Sequence, residues 1–357
     1  MNYSKRLAAL RELFTENYNG LLITNLHNIR YLCGYSGSSG TLLVTKKDAV
    51  FFTDFRYQEQ SAAEIGDTAE IVVFKNNLVK SLKAHIKKAR ISALGVEKSL
   101  NIRQFLLFSE EFKLDLFPTE SLVERLRQTK EPEEIKSLKK AFEIADHAFA
   151  KLMKIVKPGM TEIEVAAHLE FFMKMAGSHA PSFDTIIASG PNSSCPHAQP
   201  GSRKLKQGDM LKIDFGAVYE GYHSDMTRTV FLGKATEKFK KIYGIVLEAQ
   251  QKAIKAIKVG AVCKSVDAVA RKVITDAGYG ENFGHGLGHS LGLEVHETPS
   301  LSKKCTDKIM AGVAFTVEPG IYLPGWGGVR IEDVFLVKEK GLLQLTSTPN
   351  ALFEVKV

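Results

Sequence analysis

Cysteine is scarce. Cys33, Cys195, Cys263 and Cys305 are spread through 357 residues, too widely to form the disulfide framework of a small secreted domain. No CxxC pair occurs, which excludes a zinc knuckle and a thioredoxin-type redox motif. Free buried thiols in a reducing compartment are the expectation. Long apolar runs are also missing. No segment approaches the ~20 apolar residues that cross a bilayer. Residues 1–13 carry charges and a helical rhythm continued by Leu7, Leu10 and Phe14, not the apolar stretch of a signal peptide. The chain therefore reads as cytoplasmic, with no membrane partner. It has an excess of positive charge, 48 − 40 = +8, but no interleaving of basic and aromatic residues. Much of the lysine lies on amphipathic helix patterns at 79–90 and 234–258, where it makes a solvated face. Nucleic acid is not an expected partner. The loop GYSGSSG at 34–40 lacks the lysine of a phosphate-binding loop and has no helix signal after it, which removes a nucleotide role.

What is present is an ordinary globular mixture, 44% apolar and 25% charged, long enough for two domains. The first ~120 residues alternate short apolar strands (21–24, 49–53, 71–74, 93–96) with helices (3–14, 57–64, 78–88), the pattern of an α/β domain. Residues 122–132 are polar and read as a connector, so the expected boundary divides 1–122 from 123–357. Pro132 and the acids after it open a long helix to about Ile155. Pro158-Gly159 ends it. Thr161 then caps a second helix, with Glu164 completing a capping box. Strands follow at 184–189, 210–218, 226–232, 313–317 and 329–337, interrupted by helices near 237–257 and 266–277.

Five residues in this second half carry the chemistry: Asp214, Asp225, His289, Glu318 and Glu332. LKIDFGA (211–217) and HSDMTRT (223–229) flank a plausible hairpin turn, which would set Asp214 and Asp225 on adjacent antiparallel strands. A single such Asp is ordinarily a strand-end residue paired with an arginine or a turn amide. Two, with three more candidates downstream, point to a shared ion. The block GHGLGHSLGLEVHE (284–297) packs His285, His289 and His296 among four glycines. Those glycines argue against a helix, so this is not a helical HExxH zinc site. Its GxGxG lacks the third glycine of a dinucleotide fingerprint. Glu318 and Glu332 each interrupt an apolar strand. Arg330 lies two residues before Glu332 and so points to the same side. The plain alternative for that pair is a surface salt bridge. Val329, Ile331 and Phe335 would take the core face, and Asp333 with them would need a polar partner. Four carboxylates and one imidazole make a hard, anionic pocket suited to two divalent ions.

At these residues the chain resembles the pita-bread metallopeptidases, in the branch of aminopeptidase P and prolidase. The resemblance rests on IDFGA and GYHSDMTRT, on HGLGHSLGLEVHE, on TVEPGIY and on GGVRIED. More weakly, TDFRY (53–57) and the 34–40 loop resemble a creatinase-type N-terminal domain. The implied fold is α+β, a pita-bread catalytic domain after a smaller α/β domain. The implied ligand sets are Asp214, Asp225 and Glu332 for one ion, and Asp225, His289, Glu318 and Glu332 for the other. Mn is the expected metal, with Co, Zn or Fe as variants. His197 is implied beside the substrate, His285 along the pocket, His296 at the tetrahedral intermediate and Arg330 behind Glu332. Two such ions would ionise a water for attack on an amide, and Glu318 would pass a proton to the leaving proline nitrogen.

The expected activity is release of the residue preceding proline from Xaa-Pro peptides by a homodimeric aminopeptidase. A dipeptide-specific prolidase is the alternative. The lean to the aminopeptidase comes from the lack of a basic residue clearly committed to a substrate carboxylate. Methionine aminopeptidases usually lack the added N-terminal domain and a histidine four residues before the metal histidine. Creatinases and silent binding modules of this fold lose ligands that are all present here.

Overall fold

The computed structural model describes residues 1–356, in two compact units, Met1–Arg127 and Gln128–Val357. The first unit is built on a mixed six-stranded sheet. Its strand order is Glu70–Phe74, Ala49–Asp54, Thr41–Thr45, Gly20–Ile23, Ala93–Glu97, Asp115–Thr119. The central strands are apolar and buried on both faces, as a covered sheet requires. Helices Leu78–Lys88 and Ile102–Phe112 bury Leu82, Ile86, Phe108 and Phe112 against Leu22, Phe52 and Val96.

Several elements of this unit differ from the sequence expectation. Strands Thr41–Thr45 and Asp115–Thr119 were not anticipated. The latter carries Pro118, which an edge strand tolerates because its outer side needs no N–H. Helices Leu26–Cys33 and Ile102–Phe112 start at Asn25 and Asn101, whose side chains cap the first-turn amides. The stretch read as a connector is helical over Leu122–Gln128, because Val123 and Arg127 bury one face.

The second unit contains two sheet-and-helix-pair assemblies. Strands Ile186–Ser189, Met210–Phe215, Met226–Leu232 and Glu354–Val355 form a four-stranded sheet. Helices Pro132–Leu152 and Glu162–Met175 pack on it through Ala145, Phe149, Val165 and Leu169. The second helix begins with the capping box expected at Thr161 and Glu164; the first has one as well, between Glu131 and Glu134, which was not anticipated from the sequence. Strands Glu297–Leu301, Gly288–Ser290, Ala314–Val317, Asp333–Val337 and Leu342–Gln344 form a five-stranded sheet. Helices Glu237–Ala256 and Cys263–Asp276 cover it through Val246, Ala249, Val266 and Ala270.

One expected strand does not exist as such. The 329–337 segment is broken into Gly327–Arg330, which pairs with Gly320–Leu323, and Asp333–Val337, which joins the five-stranded sheet. Between them the Glu332 amide bonds to Thr227 O of the other sheet at 3.1 Å. The chain crosses between sheets there, with Glu332 at the crossing.

Candidate metal centre

Strands Met210–Phe215 and Met226–Leu232 pair antiparallel over six positions, with Thr227 opposite Asp214. The tip folds into a small hairpin, Val218–Tyr219 against Tyr222–His223. This brings Asp214, on the first strand, and Asp225, one residue before the second, close enough to interact electrostatically, as the hairpin spacing anticipates. Gly216 makes the approach possible, since a Cβ there would lie 1.8 Å from the Ser224 carbonyl oxygen. His289 comes from the short strand Gly288–Ser290, Glu318 from just beyond Ala314–Val317, and Glu332 from the sheet crossing.

These side chains converge. One donor atom each from Asp225, His289 and Glu332 lie within 4.8 Å of one another. His289 Nε2 faces Asp225 Oδ2 at 3.6 Å and Glu318 Oε1 at 3.4 Å. Burial, then the neighbouring His296, lower the His289 pKa to about 4, so the ring is neutral. Its Nδ1 lies 3.1 Å from the Ser290 carbonyl oxygen. A proton on Nδ1 donates there and leaves Nε2 as a bare lone pair facing two carboxylates.

The electrostatics are those of crowded acids. Asp214, Asp225 and Glu332 are 7%, 5% and 2% exposed. Burial and the neighbouring Glu332 hold Asp225 well above the usual carboxylate range. Burial and Glu318 do the same to Glu332. Glu318 is pushed up to about 7, chiefly by burial. Asp214 Oδ1 and Glu332 Oε1 are buried without a hydrogen-bond partner among the described residues. Orphaned oxygens and a lone pair aimed into one space are the fit expected of hard divalent cations.

Arg330 is placed differently from the sequence expectation. It shares the site with Glu332, but its Nη2 grips Asp214. Nε donates to Thr227 Oγ1 at 3.0 Å and Nη1 to Tyr322 Oη at 2.9 Å. Thr227 Oγ1 in turn donates to Glu332 Oε2 at 2.7 Å, so the arginine reaches Glu332 through a hydroxyl. A surface ion pair is excluded, since both residues are buried. Asp333 has the polar partner it requires: Arg228 at 2.6 Å and Thr346 Oγ1 at 2.7 Å.

A cavity of about 560 Å³ opens over this cluster, lined in addition by His197, His285 and His296. His296 meets His289 edge to face, with ring centroids 4.4 Å apart. His285 is held at both nitrogens, by Gly286 O at 2.8 Å and Tyr322 Oη at 2.9 Å. Thr227, Thr316 and Tyr322 were missed in the sequence. Alternation with Asp225 and with Glu318, each two residues away, could have suggested Thr227 and Thr316. Tyr322 gave no signal. A second cavity, of about 570 Å³, lies elsewhere in this unit. Of its charged lining residues Asp146, Lys154 and Arg228, the first and last are engaged by the 347–349 backbone, and it lacks a comparable cluster.

Residues 136–339 match the model of Metallopeptidase family M24, and residues 6–129 match the Creatinase/Prolidase N-terminal domain. An Xaa-Pro dipeptidase of Pyrococcus horikoshii is 39% identical over 340 residues, covering 94% of each chain. The structure of an Xaa-Pro dipeptidase from Bacillus anthracis superposes with a TM-score of 0.96 at 42% identity, covering 99% of this chain and 100% of that one. An X-Pro aminopeptidase from Thermotoga maritima superposes with a TM-score of 0.91 at 37% identity, covering 99% of each.

Proposed function

The chain belongs to metallopeptidase family M24, with the pita-bread fold and a creatinase/prolidase N-terminal domain, and from that premise we propose that it is an Xaa-Pro dipeptidase. Its membership makes it a metallo-exopeptidase that works with divalent metal ions. The observation that carries the site reading is the convergence of Asp225, His289 and Glu332 beside the orphaned oxygens of Asp214 and Glu332. In this reading Asp214, Asp225 and Glu332 hold one ion. Asp225, His289, Glu318 and Glu332 hold the other. The oxygen-rich set suits hard divalent ions, and among them the family resemblance points to Mn, with Co, Zn or Fe as variants. Bound there, the pair supplies an ionised water and a Lewis acid for the scissile carbonyl.

The chain's own side chains do the rest. His197 and His296, on the cavity wall, donate to the substrate carbonyl as it gains negative charge. Arg330 fixes the Asp214 carboxylate and, through Thr227, that of Glu332. Glu318 would take the proton lost by the attacking water and hand it to the proline nitrogen, a tertiary amide with no N–H of its own. A homodimer belongs to the same reading.

The dipeptidase replaces the aminopeptidase favoured by the sequence, because close relatives along the full length carry the dipeptidase name. One observation keeps the aminopeptidase as a second reading. Arg330 is the one Arg or Lys among the residues lining the cavity, and it already bonds Asp214, Thr227, Tyr322 and Pro196. A dipeptidase needs a partner for the proline carboxylate. Hydrolysis of Ala-Pro against Ala-Pro-Ala by Mn-loaded protein tests the choice. Fast dipeptide cleavage with a slow tripeptide supports the dipeptidase, and the reverse order supports the aminopeptidase. Cleavage of neither would sink both readings.

A further inference from the structure

Strand Met210–Phe215 sends a second ionisable side chain in the same direction as Asp214. Lys212 stands two residues earlier, hence on the same face. It is fully buried, with 0% exposure, between the core residues Leu211 and Ile213. Its Nζ donates to three main-chain carbonyls: Cys195 O at 2.5 Å, Ser193 O at 3.2 Å and Pro196 O at 3.2 Å. In its ammonium form the group has three N–H donors and no acceptor, and this cage engages all of them; burial, then Arg330, lower its pKa to about 7, and the cage is defined by its geometry.

The caged carbonyls belong to one stretch of chain, residues 193–196, and the next residue is His197 on the cavity wall. That stretch is tied to the site at two further points. The Gly328 amide donates to Ser193 Oγ at 2.8 Å, and Arg330 Nη1 donates to Pro196 O at 3.2 Å. Pro196 O is therefore shared by Lys212 and by the arginine that holds Asp214. Burying an ammonium is costly unless its donors are satisfied. An apolar residue would fill the same space in this sheet without that cost. Lysine adds a three-point clamp where the backbone leaves the short 3-10 helix Gly190–Ser194 and runs on to His197.

We infer that Lys212 is a positioning residue, which clamps the 193–196 backbone and thereby fixes His197 against the substrate. The inference rests on the reading of His197 as a substrate contact. It assigns Lys212 no proton transfer and no contact with the peptide.

The test uses the full-length, Mn-loaded protein and the variants Lys212→Met, His197→Ala and their double, with Ala-Pro or Ala-Pro-Ala as substrate, whichever is cleaved. Lys212→Met is expected to lower kcat by about 10- to 100-fold, the scale of a small misplacement of a reacting group, with KM changed far less. In the His197→Ala background the same change should cost little more, because the two act as one unit. Amide exchange over 193–199 should quicken in Lys212→Met, while bound metal stays at its wild-type amount. Lys212→Gln keeps two N–H donors and should fall between.

Equal losses in both backgrounds, loss of metal, or unchanged exchange at 193–199 would overturn the inference. A His197→Ala protein of full activity would refute the reading of His197 instead, and the exchange result would then decide the clamp alone. If neither Lys212 variant folds, exchange in the wild type decides: protection of 193–199 like that of the adjoining strand supports the clamp, and free exchange refutes it.

Discussion

Glu318 shows how much of this site lies in the state of single protons. Its folded pKa, about 7, stands above its ordinary value of 4.5. A carboxyl raised in this way contributes stability below the ordinary value, and the contribution is lost as pH rises through the folded value. In chelator-treated protein, Glu318→Gln should therefore raise Tm at about pH 8 and gain much less at about pH 5.5. With metal bound the order should invert at about pH 8, since the glutamine is then a lost ligand. Thermal melts of both proteins, with and without metal, check this. Equal behaviour in the two conditions would remove Glu318 from the ligand set. The residue identities were legible from the sequence; their protonation was not, because it depends on neighbours more than a hundred positions away, such as Asp214.

At the scale of elements, the glycine-rich block divides into glycines that matter sterically and one that does not. A Cβ on Gly288 would lie 2.1 Å from the Thr316 carbonyl oxygen, on the adjoining strand, whereas a Cβ on Gly284 would meet nothing within 4 Å. Gly288→Ala is expected to cost about 1–3 kcal/mol, as overpacking does. It should also disturb the His289 amide bond to Thr316 Oγ1, 2.9 Å long. Gly284→Ala should stay within about 0.5 kcal/mol. Denaturant unfolding and metal content of the two variants test the contrast; equal costs would refute the steric account. The sequence shows that this block cannot be a helix. It does not show which glycine touches another strand. The 329–337 segment has the same limit: its apolar alternation reads as one strand, while the observed break at Glu332 depends on a partner, Thr227, in a different sheet.

For the whole molecule, the clustered acids predict that the metal is part of the stability of the Gln128–Val357 unit. All five candidate ligands lie in that unit. Anything that binds the folded state alone stabilises it with the logarithm of its free concentration. Tm should rise with added Mn and fall on chelation, and the calorimetric shift should persist in Lys212→Met. A Tm indifferent to metal would contradict the site as a binding centre. The same unit carries a buried ion pair, Lys130 with Glu297 at 3.0 Å, which ties the start of the unit to strand Glu297–Leu301.

The sequence by itself determined what depends on near neighbours. The helix start at Pro132, the capping box at Thr161, the hairpin joining Asp214 to Asp225, and the helix-breaking glycines all follow from residues within a few positions of one another. It also carried the donor types that suit hard divalent ions. Only the tertiary structure decided what depends on packing two sheets together: that Arg330 holds Asp214 and reaches Glu332 through Thr227, that Lys212 clamps the backbone before His197, and that two buried oxygens are left facing one space. Periodicity tells which face of a strand a side chain leaves, but a partner on another sheet is chosen by how the sheets pack, and that is not written in local spacing.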